Sequence, residues 1–328
     1  MINKVKRAIV FSGGGDKGAF SVGVAKRLLE EGNEFDFYSG TSTGAMIAPL
    51  LAIGEINTLQ NIYTNVRKTD ILKFDHPYVR LAAQGSMYDV TPLRNLLKNT
   101  FTDNIYERIM NSGKNIFLST VSMNNMQITY FTNSDIIKGN SRYDVVKWGN
   151  RSEFIEAVMA SAVQPVLMPP EKIKGLTFAD GGLRDFVPVD AAIDSHAEEI
   201  FCIVTTTGKR YFDGNSFTNA VDILLKTIEI FSNDISDNDL RIAKLYNEGI
   251  IYIRECKDRI RRNTGLPQDV IDNLFTSSLD PFYNKRVLNL KIIRPVNELG
   301  PGLDFDTEKM RFMFNEGYNM NTDTINIG

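Results

Sequence analysis

The sequence predicts an α/β fold in which a mainly parallel central sheet is covered by helices. Three observations carry that expectation. Apolar runs of strand length at 5–11 and 35–39 each lead through a glycine-framed turn into an apolar segment of helix length. Strand and helix then alternate through the N-terminal third, the order that lays crossover helices over parallel strands. A further run at 199–206 is strongly apolar, as a strand buried on both faces requires.

Taken in order, the strand at 5–11 is followed by Gly13-Gly14-Gly15-Asp16-Lys17-Gly18. An amphipathic helix is expected over about 19–31, with Gly32 as its C-cap. The strand at 35–39 ends in Gly40-Thr41-Ser42-Thr43-Gly44, and the apolar residues from Ala45 to Leu51 fit a helix near 44–53. Helical patterns at 56–67 and 92–99 follow. The irregular stretch 70–89 between them, with Phe74, His76, Pro77, Tyr78 and Tyr88, reads as a mobile flap. Strands at 115–122 and 126–132, joined by Met123-Asn124-Asn125, form an expected hairpin. A helix over 152–162 stops before Pro165, Pro169-Pro170 mark an extended loop, and a short strand at 176–179 delivers Asp180-Gly181-Gly182.

Downstream of 199–206, Phe217, Ala220, Val221, Leu224, Leu225, Ile228 and Phe231 fall on one helical face, a stripe expected in the core. Strands at 249–254 and 287–293 are expected to bracket a segment holding Lys257, Arg259, Arg261 and Arg262, and a helix near 306–316 follows. No repeat, low-complexity tract or linker divides the 328 residues, so a single domain over 1–328 is expected. Its core spans about 5–192, and 207–328 is less recognisable.

A hydrophobic content of 43% supports a substantial core, and a net charge of -3 provides no general attraction for nucleic acid. The longest apolar stretch, 45–53, is interrupted by Pro49 and far short of the roughly twenty residues that span a bilayer. The apolar run after the basic start is too short for a secretory core. With Cys202 in an apolar run and Cys256 among charges, the two cysteines suit a reducing, cytoplasmic setting better than a disulfide framework. No metal constellation stands out, and no cofactor is called for.

The chemistry resides in the glycine-framed segments. Gly40-Thr41-Ser42-Thr43-Gly44 has the form of a nucleophile elbow, a sharp turn between strand and helix that lifts a serine hydroxyl out of the sheet edge. A serine hydroxyl needs a neighbouring base to take its proton. Asp180, presented by a short strand and followed by Gly181 and Gly182, is the better placed candidate. An ordinary turn remains the bland alternative. With an ordinary pKa of about 3.9, an aspartate would need dry surroundings to raise its proton affinity, and Met159, Val163, Val166 and Met168 are suited to supply them. Ser42, Asp180 and His196 also follow the chain order of an α/β-hydrolase triad, although His196 precedes a core strand and His76 lies in the aromatic loop. Gly13, Gly14 and Gly15 can offer backbone N–H groups to a developing oxyanion, helped by the helix that starts near Gly18. Lys17 either reinforces that positive potential or extends into solvent.

These segments together resemble the patatin-like phospholipases. Gly13-Gly14-Gly15-Asp16-Lys17-Gly18 is similar to the family's oxyanion motif, Gly40-Thr41-Ser42-Thr43-Gly44 to its elbow, and Asp180-Gly181-Gly182 to its aspartate motif. The segment 157–163 followed by Pro165 is similar to the one that usually precedes the aspartate. Lys17 stands where the family often has arginine. The resemblance implies a three-layer α/β/α sandwich and a serine–aspartate dyad without histidine. Ser42 would be the nucleophile, Asp180 the base, and the amides of Gly13, Gly14 and Gly15 the oxyanion hole. The implied activity is hydrolysis of fatty-acyl esters, of phospholipase A or lysophospholipase type, on a phospholipid or other acyl-ester lipid.

Two readings from other classes stand beside it. Gly13-x-Gly15-x-x-Gly18 after a strand is also a dinucleotide fingerprint, which would make the protein an oxidoreductase. That fingerprint needs an acid at the end of the second strand, whereas Glu34 and Asp36 lie at its start. A non-catalytic lipid-binding module would keep the fold without turnover. Peripheral membrane contact through Lys257, Arg259, Arg261 and Arg262 with Phe74, Tyr78 and Tyr88 is a further expectation, against a merely solvated charge run.

Overall fold

Ala8, Ile9, Val10 and Phe11 are fully buried, so the first strand, β1 (Arg7–Phe11), is apolar along its length instead of alternating. In the computed structural model, which describes residues 5–209, 218, 220–277, 282, 286–320 and 326–327, β1 leads to α1 (Gly18–Glu30), β2 (Phe37–Thr41) and α2 (Thr43–Ala52). Five helices follow: α3 (Ile56–Asn65), α4 (Lys68–Ile71), α5 (Pro77–Gln84), α6 (Thr91–Thr100) and α7 (Asp103–Met110). Next come β3 (Asn115–Ser122), β4 (Ile128–Thr132), β5 (Tyr143–Lys147), α8 (Arg151–Ala162), β6 (Glu171–Ile173) and β7 (Leu176–Asp180). The remaining elements are α9 (Val189–Asp194), β8 (Glu199–Ile203), α10 (Ala220–Thr264), α11 (Gln268–Leu274), β9 (Asn289–Ile293), α12 (Thr307–Tyr318) and β10 (Asn326–Ile327).

The main path of the sheet runs β10-β9-β8-β1-β2-β3-β4-β5, with β7 also paired to β3 and β6 to β7. From β9 through β8, β1 and β2 to β3, every pairing is parallel. The expected hairpin of β3 with β4 is present, although β4 starts two residues late because Met126, at φ 60, still belongs to the turn. Successive residues of β1 face opposite layers. Ile9 and Phe11 join a core with Phe20 of α1, Ile47 of α2 and Phe314 of α12. Ala8 and Val10 join another with Ala192 of α9 and Leu240 of α10. The result is an α/β/α sandwich with the carboxyl ends of the parallel strands at one edge. Among the described residues no helix is long and apolar enough to cross a membrane.

The C-terminal part departs most from the sequence expectation. The run 249–254 is not a strand but lies inside α10, 45 residues long. Its isoleucines favour a strand locally, but Leu240, Ala243, Asn247 and Ile250 recur at helical spacing and are all buried. Asn247 then clamps the approach to β9, donating to the Leu288 carbonyl at 2.7 Å and accepting from its N–H at 2.8 Å. The stripe expected in the core is also corrected. Leu224, Leu225 and Ile228 are half-buried and line a cavity, and Phe231 is 61% exposed. Phe217 and the side chain of Val221 lie outside the described residues. The stretch read as a flap contains α5, none of whose residues is buried. Strands β5 and β6 had no counterpart in the sequence reading.

Candidate active site

At the carboxyl end of β2 the chain turns straight into α2, and Ser42 sits on that turn at φ 56, ψ -120, a conformation that costs a non-glycine residue on the order of 1–3 kcal/mol. The turn survives because its neighbours leave no alternative. A Cβ on Gly40 would collide with the Gly44 carbonyl, so strand and helix approach each other closely only because position 40 carries no side chain. The Ser42 N–H donates to Ser161 Oγ at 2.9 Å, and Ser161 Oγ donates to the Ser119 carbonyl at 2.6 Å. Ser161 is fully buried. Ser161→Ala therefore leaves a buried amide without a partner, and the expected result is a loss of about 1–3 kcal/mol in urea unfolding, with the midpoint lowered and the slope unchanged.

The glycine loop leaves β1 beside this turn. Its Gly13 N–H donates to the Phe186 carbonyl at 3.1 Å. The amides of Gly14 and Gly15 have no partner among the described residues, and both residues line the cavity that contains Ser42. Gly15, at φ 60, packs so close to the Gly302 carbonyl that any Cβ would strike it. Asp16 donates its N–H to that same carbonyl at 3.0 Å, while its Oδ2 accepts from the amides of Phe305 at 2.9 Å and Asp304 at 3.2 Å. Burial raises the Asp16 pKa, against those two amides and Lys17.

Asp180 ends β7, where its N–H donates to the Val163 carbonyl at 2.9 Å. The residue is 3% exposed, and burial pushes its pKa up to about 6. The Gly182 N–H, donating to Oδ1 at 2.7 Å, opposes that rise, as does the nearby Ser42 hydroxyl. No hydrogen bond of ordinary geometry joins that hydroxyl to Oδ2, which is buried without a partner among the described residues. Met159, Val163 and Met168 are buried as the dry setting requires, but Val166 is 41% exposed.

Ser42, Asp180, Gly14 and Gly15 line one cavity of about 920 Å³, whose walls include Met46, Leu224, Leu225 and Ile228. A hydroxyl, a carboxylate of raised proton affinity and two unpaired amides thus meet in one largely apolar space. His196 is elsewhere: it lines a separate cavity of about 250 Å³, and its Nδ1 lies 3.1 Å from the Arg286 guanidinium. Asp36, which a dinucleotide site would need at the carboxyl end of β2, precedes that strand and its carboxylate accepts from the Arg7 N–H at 3.3 Å.

Asp185 was not singled out in the sequence. Its carboxylate is buried, accepting from Ser119 Oγ at 2.6 Å and Tyr130 Oη at 2.8 Å, and its carbonyl accepts from Thr41 Oγ1 at 2.8 Å. Burial pushes its pKa up to about 7, and neighbouring Asp239 rises to about 8 through burial and then the Asp185 charge. The available signal was a lone carboxylate directly before the apolar run Phe186-Val187-Pro188-Val189.

Comparison with known proteins gives these features a family. Residues 9–193 match the family model described as patatin-like phospholipase. The uncharacterized protein YjjU of Escherichia coli K12 is 22% identical over 209 residues, which cover 62% of this chain and 53% of YjjU. Lysophospholipase NTE1 of Lodderomyces elongisporus is 29% identical over 197 residues, covering 60% of this chain and 12% of NTE1. The chain thus spans about half of one relative and a small part of the other. Among solved structures, VipD from Legionella pneumophila aligns with a TM-score of 0.46 at 15% identity, over 96% of this chain and 65% of VipD. With more than half of its length matched by the family model, this chain belongs to the patatin-like phospholipases.

Proposed function

We propose that this chain is a serine lipid acyl hydrolase working through Ser42 and Asp180. Ser42 Oγ attacks the ester carbonyl carbon while Asp180 Oδ2 takes the hydroxyl proton. The amides of Gly14 and Gly15 donate to the carbonyl oxygen as it becomes an oxyanion, each worth on the order of 3 kcal/mol of barrier. Gly13, with its N–H already given to Phe186, holds the loop in shape instead. The proton then passes from Asp180 to the departing alcohol. Water attacks the acyl-serine with Asp180 again as base, which releases the fatty acid and restores both groups.

The observation that carries this reading is the strained Ser42 turn in the same largely apolar cavity as a buried carboxylate whose free oxygen has no partner among the described residues. The apolar walls suit an acyl chain, and the lysophospholipase name of one relative agrees with an ester of this class. We read the whole chain as one catalytic unit, since β8, β9 and β10 extend the sheet built by the first half.

A fluorophosphonate probe followed by a panel of phospholipids, lysophospholipids and neutral glycerides is the test. Stoichiometric labelling with fatty-acid release supports the hydrolase. A folded, unlabelled protein that still binds lipid would favour the non-catalytic alternative. Peripheral contact with lipid surfaces is part of the proposal, through Phe74 and Tyr78, 58% and 82% exposed. Lys257 and Arg261 pair instead with Asp272 and Asp258. In liposome sedimentation, Tyr78→Ser is expected to reduce binding at least as much as Arg261→Ser.

A further inference from the structure

The oxyanion role of Gly14 depends on which way a single peptide faces. A Cβ on Gly13 would stand 3.4 Å from Ser42 Cβ, so the Gly13–Gly14 peptide lies directly beside the serine. A trans peptide points its C=O and N–H in opposite directions, and the Gly14 N–H therefore reaches the cavity only while the Gly13 carbonyl faces away from it. Between two glycines no side chain enforces that choice, because glycine accepts φ of either sign. Turned over, the same peptide would present an oxygen where a donor is needed.

The missing constraint comes from the neighbouring strand. β1 and β8 are parallel neighbours that place Phe11 opposite Ile203, so Ser12 and Thr205 leave the sheet side by side. The Ser12 N–H donates to the Ile203 carbonyl at 3.0 Å, and the Thr205 N–H donates to Ser12 Oγ at 3.0 Å. Thr205 Oγ1 is thereby presented to the Gly13 carbonyl, to which it donates at 2.6 Å, and Ser12 Oγ donates to the same carbonyl at 3.0 Å. Thr205 is 1% exposed, and it packs so closely on the loop that a Cβ on Gly14, at φ 147, would strike its Oγ1. On the next peptide the Gly14 carbonyl accepts from the Lys17 N–H at 3.2 Å. Of the two donor peptides, the first is held by side chains and the second by the loop's own backbone.

Resting on the hydrolase reading, we propose that Thr205 is a positioning residue for the oxyanion hole: its hydroxyl holds the Gly13 carbonyl away from the cavity and so keeps the Gly14 N–H aimed at the ester carbonyl oxygen. Thr205 lies beyond the family-matched segment 9–193. The described residues that line the Ser42 cavity do not include it, so it acts through the Gly13–Gly14 peptide alone. A bond that only sets the aim of an oxyanion donor favours the transition state and leaves ground-state binding as it is, so its loss falls on kcat.

The test compares wild type, Thr205→Val and Thr205→Ser on one lysophospholipid, with melting curves to verify folding. Valine keeps the shape of the side chain and removes the donor, whereas serine keeps the donor. For Thr205→Val the expected result is a fall of about tenfold or more in kcat with KM within about twofold of wild type, and Thr205→Ser should recover most of the loss. A trifluoromethyl ketone forms a tetrahedral oxyanion on the serine, so its affinity should fall in step with kcat, while a non-hydrolysable ether analogue binds equally to all three proteins. An unchanged kcat or ketone affinity in Thr205→Val, a loss carried by KM, or equal losses in Thr205→Val and Thr205→Ser would overturn the assignment. Should Thr205→Val not fold, Thr205→Cys, whose thiol donates only weakly, takes its place with the same expectations. Should wild type neither label with fluorophosphonate nor turn over, the hydrolase reading fails by itself. Crystal structures then decide the Thr205 assignment alone: a Gly13 carbonyl held on Thr205 in wild type and turned or split between two orientations in Thr205→Val supports it, and the same peptide orientation in both overturns it.

Discussion

Ser42→Ala is expected to abolish ester hydrolysis, lowering kcat by at least about 10⁴-fold and eliminating fluorophosphonate labelling. The effect is the largest available because no other described side chain replaces the hydroxyl: Thr43 Oγ1, next in the chain, is bound to Tyr63 Oη. Alanine inherits the strained backbone without relieving it, so circular dichroism and melting temperature should stay close to wild type. Turnover measured on a lysophospholipid panel provides the check, and an active Ser42→Ala protein would remove the mechanism.

Asp180→Asn is expected to cost about 10³-fold or more in kcat, since an amide can accept the Gly182 N–H but cannot take a proton from Ser42. The carboxylate pushed up to about 6 also sets a pH profile. Asp180 must be ionised to act as base, so kcat/KM of wild type should fall about tenfold per unit of pH below 6 and level off above it. Stability has the opposite sense. The folded pKa lies above the ordinary 3.8, so the native state binds this proton more tightly than the unfolded chain does. The stabilisation is present below about pH 4 and is lost as pH rises through about 6, by roughly 3 kcal/mol. Asparagine stays neutral throughout. Asp180→Asn should therefore melt above wild type at pH 7.5, the gap closing below pH 4, while activity is lost at every pH. Thermal melts and initial rates on the same samples read both.

The parts legible in the sequence were those set by local chemistry. Buried runs such as that of β1 admit little besides a central strand, and the turn at Ser42 requires glycine at 40 whatever surrounds it. Contacts brought from afar were not legible. That the Gly13 N–H is already bonded depends on Phe186, far along the chain. Asp185 takes its hydrogen bonds from Ser119 and Tyr130, 66 and 55 positions away. Ser161 reaches the Ser42 amide across 119 positions. Each is an ordinary polar residue until the fold brings its partner. The isoleucine-rich segment of α10 was misread for the same reason, since its helical state is confirmed by burial and by the clasp of Asn247 on Leu288.

The contact between Gly15 and Gly302 ties the glycine loop to residues beyond the segment that matches the family. Every motif of the family lies within 9–193, yet the loop beside Ser42 is braced by a carbonyl and two amides from 302–305, contributed from outside that region. A fragment ending with the matched segment would keep every signature residue and lose the buttress that shapes its amides. The matched half thus leans on the rest of the chain for the shape of its glycine loop.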